Sequence, residues 1–302
     1  DQLYVWEKEE GMLHENDGAE ILCAMCKGEH MERSQAKEGK IELTAACDGL
    51  LKVDNKGLKA VNGFGQMMIA TRHGNFAVKK GDKLAGTRII PLVIEEEKMT
   101  KAKEAAMAAT GNKPILNLLP FKHKKVGIVT TGNEVFYGRI KDTFTPVIEG
   151  KLAEFDTEII DHVTWNDDDT KVTASILDMI HKGADIVVCT GGMSVDPDDK
   201  TPLAIKNTGA DIVSYGAPVL PGAMFMLAYY QVTEGDDSRT VAIMGLPGCV
   251  MYAKRTIFDL VLPRVMADDK VTAEELAALG LGGLCLNCPV CTFPNCGFGK
   301  GV

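Results

Sequence analysis

Three short glycine-containing loops each follow an apolar run, and their backbones are suited to holding an anionic ligand. The loops are Thr131-Gly132-Asn133-Glu134, Gly191-Gly192-Met193-Ser194 and Gly245-Leu246-Pro247-Gly248. Glycine lets a ligand approach the backbone closely, and free N–H groups at a helix start attract phosphate. For one loop alone, an ordinary strand-to-helix turn explains the pattern almost as well. The prediction of a ligand site therefore depends on all three loops occurring together.

Acidic side chains accompany these loops. Glu134 belongs to the first loop, and Asp196, Asp198 and Asp199 follow the second. Carboxylates repel a bare phosphate, but Mg²⁺ takes carboxylate and phosphate oxygens together. A further acidic run at residues 167–169 begins a predicted helix. A metal-bridged phosphate site and a set of helix-capping, solvent-facing acids are both compatible with this pattern.

Four cysteines near the C-terminus have the density of a metal site. Cys285, Cys288, Cys291 and Cys296 place four thiols within twelve residues. Such spacing is typical of zinc or of an iron–sulfur cluster, and the sequence leaves both open. A redox or disulfide role is the alternative, and a third reading gives these thiols no role. The chain is predicted to fold in a reducing cytoplasm, because its nine cysteines are an odd and mostly dispersed set.

The elements that must position the loops form an alternating pattern of strands and helices over residues 120–268. Such alternation predicts a mainly parallel sheet with helices on both faces. Ligands bind outside the carboxyl ends of the strands in such sheets, and all three loops have that position. The third loop is predicted to lead directly into a helix over residues 249–260.

The remaining segments have different sequence patterns from this alternating region. Residues 1–95 contain short apolar runs separated by turns and predict a small β-rich domain, a barrel or a sandwich. Residues 54–57, Asp-Asn-Lys-Gly, are predicted as a hairpin turn within it. Residues 96–119 predict a helical linker, and residues 269–302 a cysteine-rich tail.

Composition excludes two classes of partner. The 302-residue chain has a formal net charge of -9 and no basic stripe, which argues against nucleic acid. No run approaches the roughly 20 apolar residues that cross a membrane. A small anionic ligand held by backbone N–H groups or a bridging cation remains compatible with the charge.

The three loops, together with Asp199, resemble the motifs of the molybdopterin-binding domain family of molybdenum cofactor biosynthesis. Their order and approximate spacing match, and the resemblance covers about residues 120–265. The Gly191-Gly192-Met193-Ser194 form is nearer to the molybdopterin molybdotransferase branch than to the adenylyltransferases. The whole chain is most similar to stand-alone molybdopterin-binding proteins.

The resemblance implies a three-layer α/β/α domain that binds the pterin and its terminal phosphate. It implies that Glu134, Asp168 and Asp199 are the acids that hold Mg²⁺ and molybdate. The residues implied to contact the pterin or phosphate are Thr131, Gly132, Asn133, Gly191, Gly192, Met193, Ser194, Gly245, Pro247 and Gly248.

Three functions stay open at the level of sequence. The first is Mg²⁺-dependent insertion of molybdate into molybdopterin. The second is a carrier or chaperone that serves a molybdoenzyme partner, with the N-terminal domain and the cysteine tail as docking segments. The third is a nucleotide hydrolase on the same fold. The resemblance also implies a homo-oligomer, by analogy alone.

Overall fold

The computed structural model describes residues 9–194, 199–234 and 237–301. It divides into two compact units, Asp1–Pro120 and Phe121–Val302. Residues 96–119, predicted as a linker, form a helix and a strand of the first unit. The division of the chain into four functional segments stays a prediction. Among the described helices, none is both long and apolar enough to cross a membrane.

The first unit is β-rich, as the sequence predicts, and its paired strands are antiparallel. Its strands are β1 (Met12–His14), β2 (Met31–Arg33), β3 (Lys40–Ala45), β4 (Gly49–Val53), β5 (Met67–Thr71), β6 (Phe76–Val78), β7 (Lys83–Ile89), β8 (Val93–Glu95) and β9 (Leu116–Pro120). Its described helices are α1 (Glu15–Cys26), α2 (Asn55–Asn62) and α3 (Glu96–Thr110). The strands pair in the orders β1-β8, β2-β3-β7-β5 and β6-β4-β9 around a shared apolar core.

The prediction of a hairpin turn at residues 54–57 is wrong. Asp54 is instead the N-cap of α2, and its Oδ1 accepts a hydrogen bond of 2.8 Å from the backbone N–H of Gly57. The same Asp-x-x-Gly residues that suit a turn also suit a helix start, because the capping carboxylate satisfies an unpaired helix N–H.

The second unit contains the predicted mainly parallel sheet. Its strands are β10 (Lys124–Thr131), β11 (Thr157–Trp165), β12 (Ile186–Thr190), β13 (Asp211–Tyr215), β14 (Met226–Glu234) and β15 (Asp237–Leu246). They lie in the order β11-β10-β12-β15-β14-β13. β14 runs antiparallel to both of its neighbours, and the β11-β10-β12-β15 part is parallel throughout.

Helices cover both faces of this sheet, so the three-layer prediction is confirmed. The helices are α4 (Asn133–Phe136), α5 (Phe144–Leu152), α6 (Asp169–His181), α7 (Thr201–Asn207), α8 (Ile257–Met266) and α9 (Ala273–Ala278). α6 and α7 share an apolar cluster with Val129 and Val187 on one face. Thr130 follows Val129 in β10, and adjacent residues of a strand point to opposite faces of the sheet. Because Thr145 of α5 contacts Thr130, α5 lies on the other face.

Candidate functional site

Three neighbouring parallel strands end together at one edge of the sheet of the second unit. In the strand register Thr130 pairs with Thr190, and Thr190 pairs with Leu246. The loops that follow β10, β12 and β15 therefore begin side by side. The loops therefore converge as the sequence predicts. The region between them at the carboxyl edge, called the crevice below, is where such sheets bind ligands.

The second loop approaches the first so closely that only glycine fits. Gly191 has a φ of +81°, and a Cβ there would lie 2.1 Å from the carbonyl oxygen of Thr131. Gly192 has a φ of +54°, and its Cβ would lie 2.8 Å from the hydroxyl of Thr201. Both the backbone conformation and the available space exclude a side chain at these positions.

A chain of hydroxyl groups fixes this approach. The Thr131 hydroxyl donates to the carbonyl oxygen of Thr190 at 3.3 Å and lies 3.1 Å from the hydroxyl of Thr201. The Thr201 hydroxyl donates to the carbonyl oxygen of Gly191 at 2.9 Å. Both threonines are buried. Thr201 thus holds the second loop in place.

Met193 joins the second loop to the third strand end. Its side chain is 3% exposed, and a Cβ on Gly245 would lie 2.7 Å from its sulfur atom. The absent side chain at Gly245 thus makes room for a core methionine. Met193 is predicted to contact the ligand. Because its side chain is buried, its backbone is the part that can do so.

Asp199 closes the second loop. Its Oδ2 accepts a hydrogen bond of 2.7 Å from the backbone N–H of Ser194. Ser194 itself is exposed, and Asp199 is half-buried. Asp196 and Asp198, predicted beside them, lie outside the described residues.

Two acids that follow β11, Asp167 and Asp168, already make hydrogen bonds within the fold. The Asn133 amide donates to Oδ2 of Asp167 at 2.7 Å, which ties the loops after β10 and β11 together. Asp168 is the N-cap of α6 and accepts from the backbone N–H of Lys171 at 3.2 Å. Glu134 is exposed. Among the described residues, no three His, Cys, Asp or Glu side chains are arranged to hold a metal ion.

A buried polar atom at this edge lacks a partner. Oδ1 of Asn166, directly after β11, is buried and accepts no hydrogen bond from any residue that the structure describes. An unsatisfied buried acceptor costs about 1–3 kcal/mol. Asn166 follows β11, whose last residue pairs with Thr131 of β10, so this acceptor belongs to the same edge of the sheet. Sequence patterns do not reveal it, because its isolation depends on the surrounding packing.

Aromatic rings flank the first loop. Phe136 stacks on Trp165 with 6.1 Å between ring centroids and an interplanar angle of 28°, and Tyr137 meets Phe136 edge-on at 5.2 Å. The ammonium of Lys171 lies 5.3 Å from the Trp165 ring centroid, and Arg139 lies over Tyr137 at 5.8 Å. These rings supply a flat apolar surface beside the crevice. Phe136 and Tyr137 follow Glu134 almost directly in the sequence, a signal that lies just outside the three glycine motifs.

A cluster of polar side chains lies at the end of β10, on the face of the sheet that α5 covers. Nε2 of His162 lies 3.1 Å from the hydroxyl of Thr130 and 3.2 Å from that of Thr145. Burial favours the neutral form of Asp142, but hydrogen bonds from Thr145 and the N–H of Phe144 outweigh it. With the nearby His162, these contacts hold the pKa of Asp142 below its ordinary value.

The third loop differs from its prediction. Gly248–Met251 forms a short 3-10 helix, and the following α-helix begins at Ile257 instead of residue 249. The Thr256 and Asp259 side chains form a capping box that sets this start. In the described chain, Gly248 therefore begins a short 3-10 helix, and the predicted long helix with its free N–H groups does not start there.

The four predicted tail ligands are free thiols. Cys288 and Cys291 are exposed, whereas Cys285 and Cys296 are half-buried.

The second unit is an α/β domain in which three loops adjoin at the carboxyl edge of the sheet. Residues 127–267 match the family model described as "Probable molybdopterin binding domain". Over these residues the chain is therefore similar to the molybdopterin-binding domains of that family.

Individual relatives match smaller regions. A CinA-like protein of Mycobacterium tuberculosis is 34% identical over 77 residues, which are 26% of this chain and 18% of that protein. The chain thus spans about a fifth of the length of such relatives. The tungsten cofactor synthesizing protein MoaB from Pyrococcus furiosus is 21% identical, with a TM-score of 0.36 over 49% of this chain and 89% of that chain. The protein CinA from Thermoplasma acidophilum is 16% identical, with a TM-score of 0.36 over 47% and 98%.

Proposed function

We propose that the second unit binds molybdopterin in the crevice formed by the loops after β10, β12 and β15. The observation that carries this proposal is the side-by-side ending of the three strands, with Gly191 packed against the Thr131 backbone. Backbone N–H groups of the glycine loops hold the terminal phosphate, as anions are held at such turns. Such local, backbone-based recognition is compatible with the chain's negative net charge.

The pterin ring is held by the groups that flank the first loop. The ring system is flat and carries N–H donors, which suits the aromatic surface of Phe136 and Tyr137. The unpartnered Oδ1 of Asn166 and the exposed carboxylate of Glu134 supply acceptors for those donors. Each hydrogen bond of this kind contributes about 1 kcal/mol of net affinity.

The bound molybdopterin then accepts molybdate with the help of Mg²⁺. Glu134 and Asp199 have the hard oxygen donors that suit this ion, and they would hold it beside the substrate phosphate and molybdate. A bound Mg²⁺ supplies positive charge that offsets the repulsion between these anions. Asp168 contributes to the same edge by starting α6 at the rim of the crevice.

One observation favours a carrier as the second candidate function. Asp168 and Asp199, two of the three proposed catalytic acids, accept hydrogen bonds from the backbone N–H groups of Lys171 and Ser194. These carboxylates shape the crevice even without a metal ion. A carrier would hold molybdopterin or finished cofactor in a cytoplasmic homo-oligomer for delivery to a molybdoenzyme.

The test separates the charge of Asp199 from its loop-closing hydrogen bond. Asp199→Asn retains an acceptor oxygen for Ser194 and removes the charge, whereas Asp199→Ala removes both. Molybdate insertion predicts that Asp199→Asn binds molybdopterin but loses Mg²⁺-dependent turnover, and that Asp199→Ala weakens binding as well. Turnover by Asp199→Asn equal to that of the unchanged protein contradicts the Mg²⁺ role. Stoichiometric binding without turnover in the unchanged protein selects the carrier.

A further inference from the structure

One open cavity in the second unit collects five thiols. Its volume is about 530 Å³, and its lining includes all four tail cysteines. The fifth thiol is that of Cys249, which directly follows Gly248 of the third loop. The sequence separates Cys249 from the tail by more than thirty residues, so only the fold reveals their shared location.

The cysteine segment is a loop whose two ends are fixed to the body of the unit. The backbone N–H of Cys285 donates to the carbonyl oxygen of Leu220 at 2.8 Å. At the other end, the N–H of Gly299 donates to the carbonyl oxygen of Gly282 at 2.9 Å. Between these points the described backbone consists of turns and irregular structure. In the described chain these thiols line one cavity but are not gathered around one centre, so binding of a metal centre requires this loop to rearrange. Such a rearrangement breaks no helix or strand.

Two cationic residues line the same cavity and hold the loop. The ammonium of Lys254 donates to the carbonyl oxygen of Pro289 at 3.0 Å. The guanidinium of Arg255 lies 5.2 Å from the ring centroid of Phe293. Both residues belong to the cavity lining. Arg255 is also paired with Glu154 and Asp259, so its charge is shared with those carboxylates.

Ligand spacing favours an iron–sulfur cluster over zinc. Cys285, Cys288 and Cys291 form a C-x₂-C-x₂-C run, the pattern by which bacterial ferredoxins supply cluster ligands. Structural zinc sites more commonly combine two pairs of ligands separated by a longer segment. A cavity of about 530 Å³ also provides more room than one tetrahedral ion needs. Cys296 supplies a fourth thiol from the same loop.

Cys249 differs from the tail thiols. It belongs to the 3-10 helix Gly248–Met251, whereas the four tail thiols share one loop of turns. Cys249 therefore lies in the wall of the cavity, beside the third loop.

We propose that Cys285, Cys288, Cys291 and Cys296 together hold a [4Fe–4S] cluster in this cavity. Each ligating thiol releases its proton when it binds, and the loop of turns closes around the cluster. This site is separate from the molybdopterin crevice, and its occupation does not require that ligand.

The test is anaerobic reconstitution of the full chain with ferric iron, sulfide and a thiol reductant, which supplies the two electrons per cluster that convert half of the iron to the ferrous state. After desalting, iron, zinc and acid-labile sulfide are measured per chain, and the electron paramagnetic resonance spectrum is recorded after reduction. The expected result is about four iron and four sulfide per chain, as a [4Fe–4S] cluster requires. Cys288→Ser and Cys291→Ser are exposed substitutions, so both variants should fold yet lose most of the iron and sulfide.

Cys249→Ser and Cys47→Ser are the matched controls, the first in the same cavity and the second in the first unit. Both should retain the cluster. Loss of the cluster in Cys249→Ser would overturn the assignment of all four ligands to the tail. One tightly bound zinc in place of iron, or no metal after reconstitution, would overturn the cluster itself.

Discussion

At the scale of single residues, the crevice depends on backbone positions that tolerate no side chain. Gly191 combines a left-handed backbone with a carbonyl oxygen 2.1 Å from where its Cβ would be. Gly209 has the same φ of +81°, but no atom lies within 4 Å of the position that a Cβ would take there. These two glycines therefore separate the cost of the backbone conformation from the cost of the close approach.

We expect Gly191→Ala to abolish molybdopterin binding and to lower the free energy of unfolding by about 3 kcal/mol, because it adds a backbone clash to conformational strain. Gly209→Ala carries the strain alone, and we expect a loss of about 1 kcal/mol with binding intact. Urea unfolding and equilibrium binding measure both effects. Equal loss of binding in the two variants would show that the close approach is not what shapes the crevice.

For Asn166 we predict that a substitution weakens binding without a matching loss of stability. Asn166→Ala removes a buried acceptor that lacks a partner. The free energy of unfolding should therefore stay within about 1 kcal/mol of the unchanged protein or rise. Molybdopterin affinity should fall by about fivefold, the equivalent of one hydrogen bond. Asn207→Ala, which removes a surface amide, is the control, and an unaltered affinity in Asn166→Ala would remove this residue from the site.

Asp142 gives a prediction for pH. Its pKa is held below the ordinary value of 3.8 in the folded chain, so its charge stabilises the fold above that pH. This contribution is lost as the pH falls through the lowered pKa. The stability advantage of the unchanged protein over Asp142→Asn should accordingly be constant near neutrality and shrink below about pH 3.8. Urea midpoints across this range measure it, and an advantage that grows on acidification would contradict the assignment.

At the scale of elements, alternation of apolar runs with helical segments predicted the second unit well, because a sheet buried on both faces has a clear sequence pattern. Local signals were less decisive. Thr256 and Asp259 form the capping box that starts α8, and this pair was visible in the sequence. A helix from residue 249 was nevertheless predicted, because apolar spacing alone does not fix where a helix begins.

The ion pair between Lys151 of α5 and Asp259 of α8 joins two elements, and the sequence could not indicate it. Their side chains are 10% and 4% exposed, and the Nζ–Oδ1 distance is 2.6 Å. Lys151→Met leaves the buried carboxylate with Arg255 as its cationic partner and should cost about 3 kcal/mol.

Lys182→Met is the comparison for Lys151→Met. Lys182 pairs with Asp161 and Asp178 at a side chain that is 51% exposed. Its loss should cost much less than that of Lys151, because exposed pairs are screened by water. Thermal or urea unfolding ranks the two variants, and equal costs would contradict the importance of the buried pair.

At the scale of the whole molecule, the sequence predicted a β-rich part and an α/β part with its loops at one edge. It could not predict Asn166, the Thr130–His162 contact or the shared cavity of Cys249 and the tail. Those features depend on contacts between residues far apart in the chain. The first unit and the cysteine loop distinguish this chain from a bare molybdopterin-binding domain, which covers residues 127–267.

The most direct test of the central proposal is the ligand itself. The full chain is incubated with molybdopterin, with and without Mg²⁺ and molybdate, and the bound species is identified by mass spectrometry under non-denaturing conditions. We predict one molybdopterin per chain in the unchanged protein and in Gly209→Ala, and none in Gly191→Ala. An unchanged, folded protein that binds no molybdopterin under either condition would contradict the account.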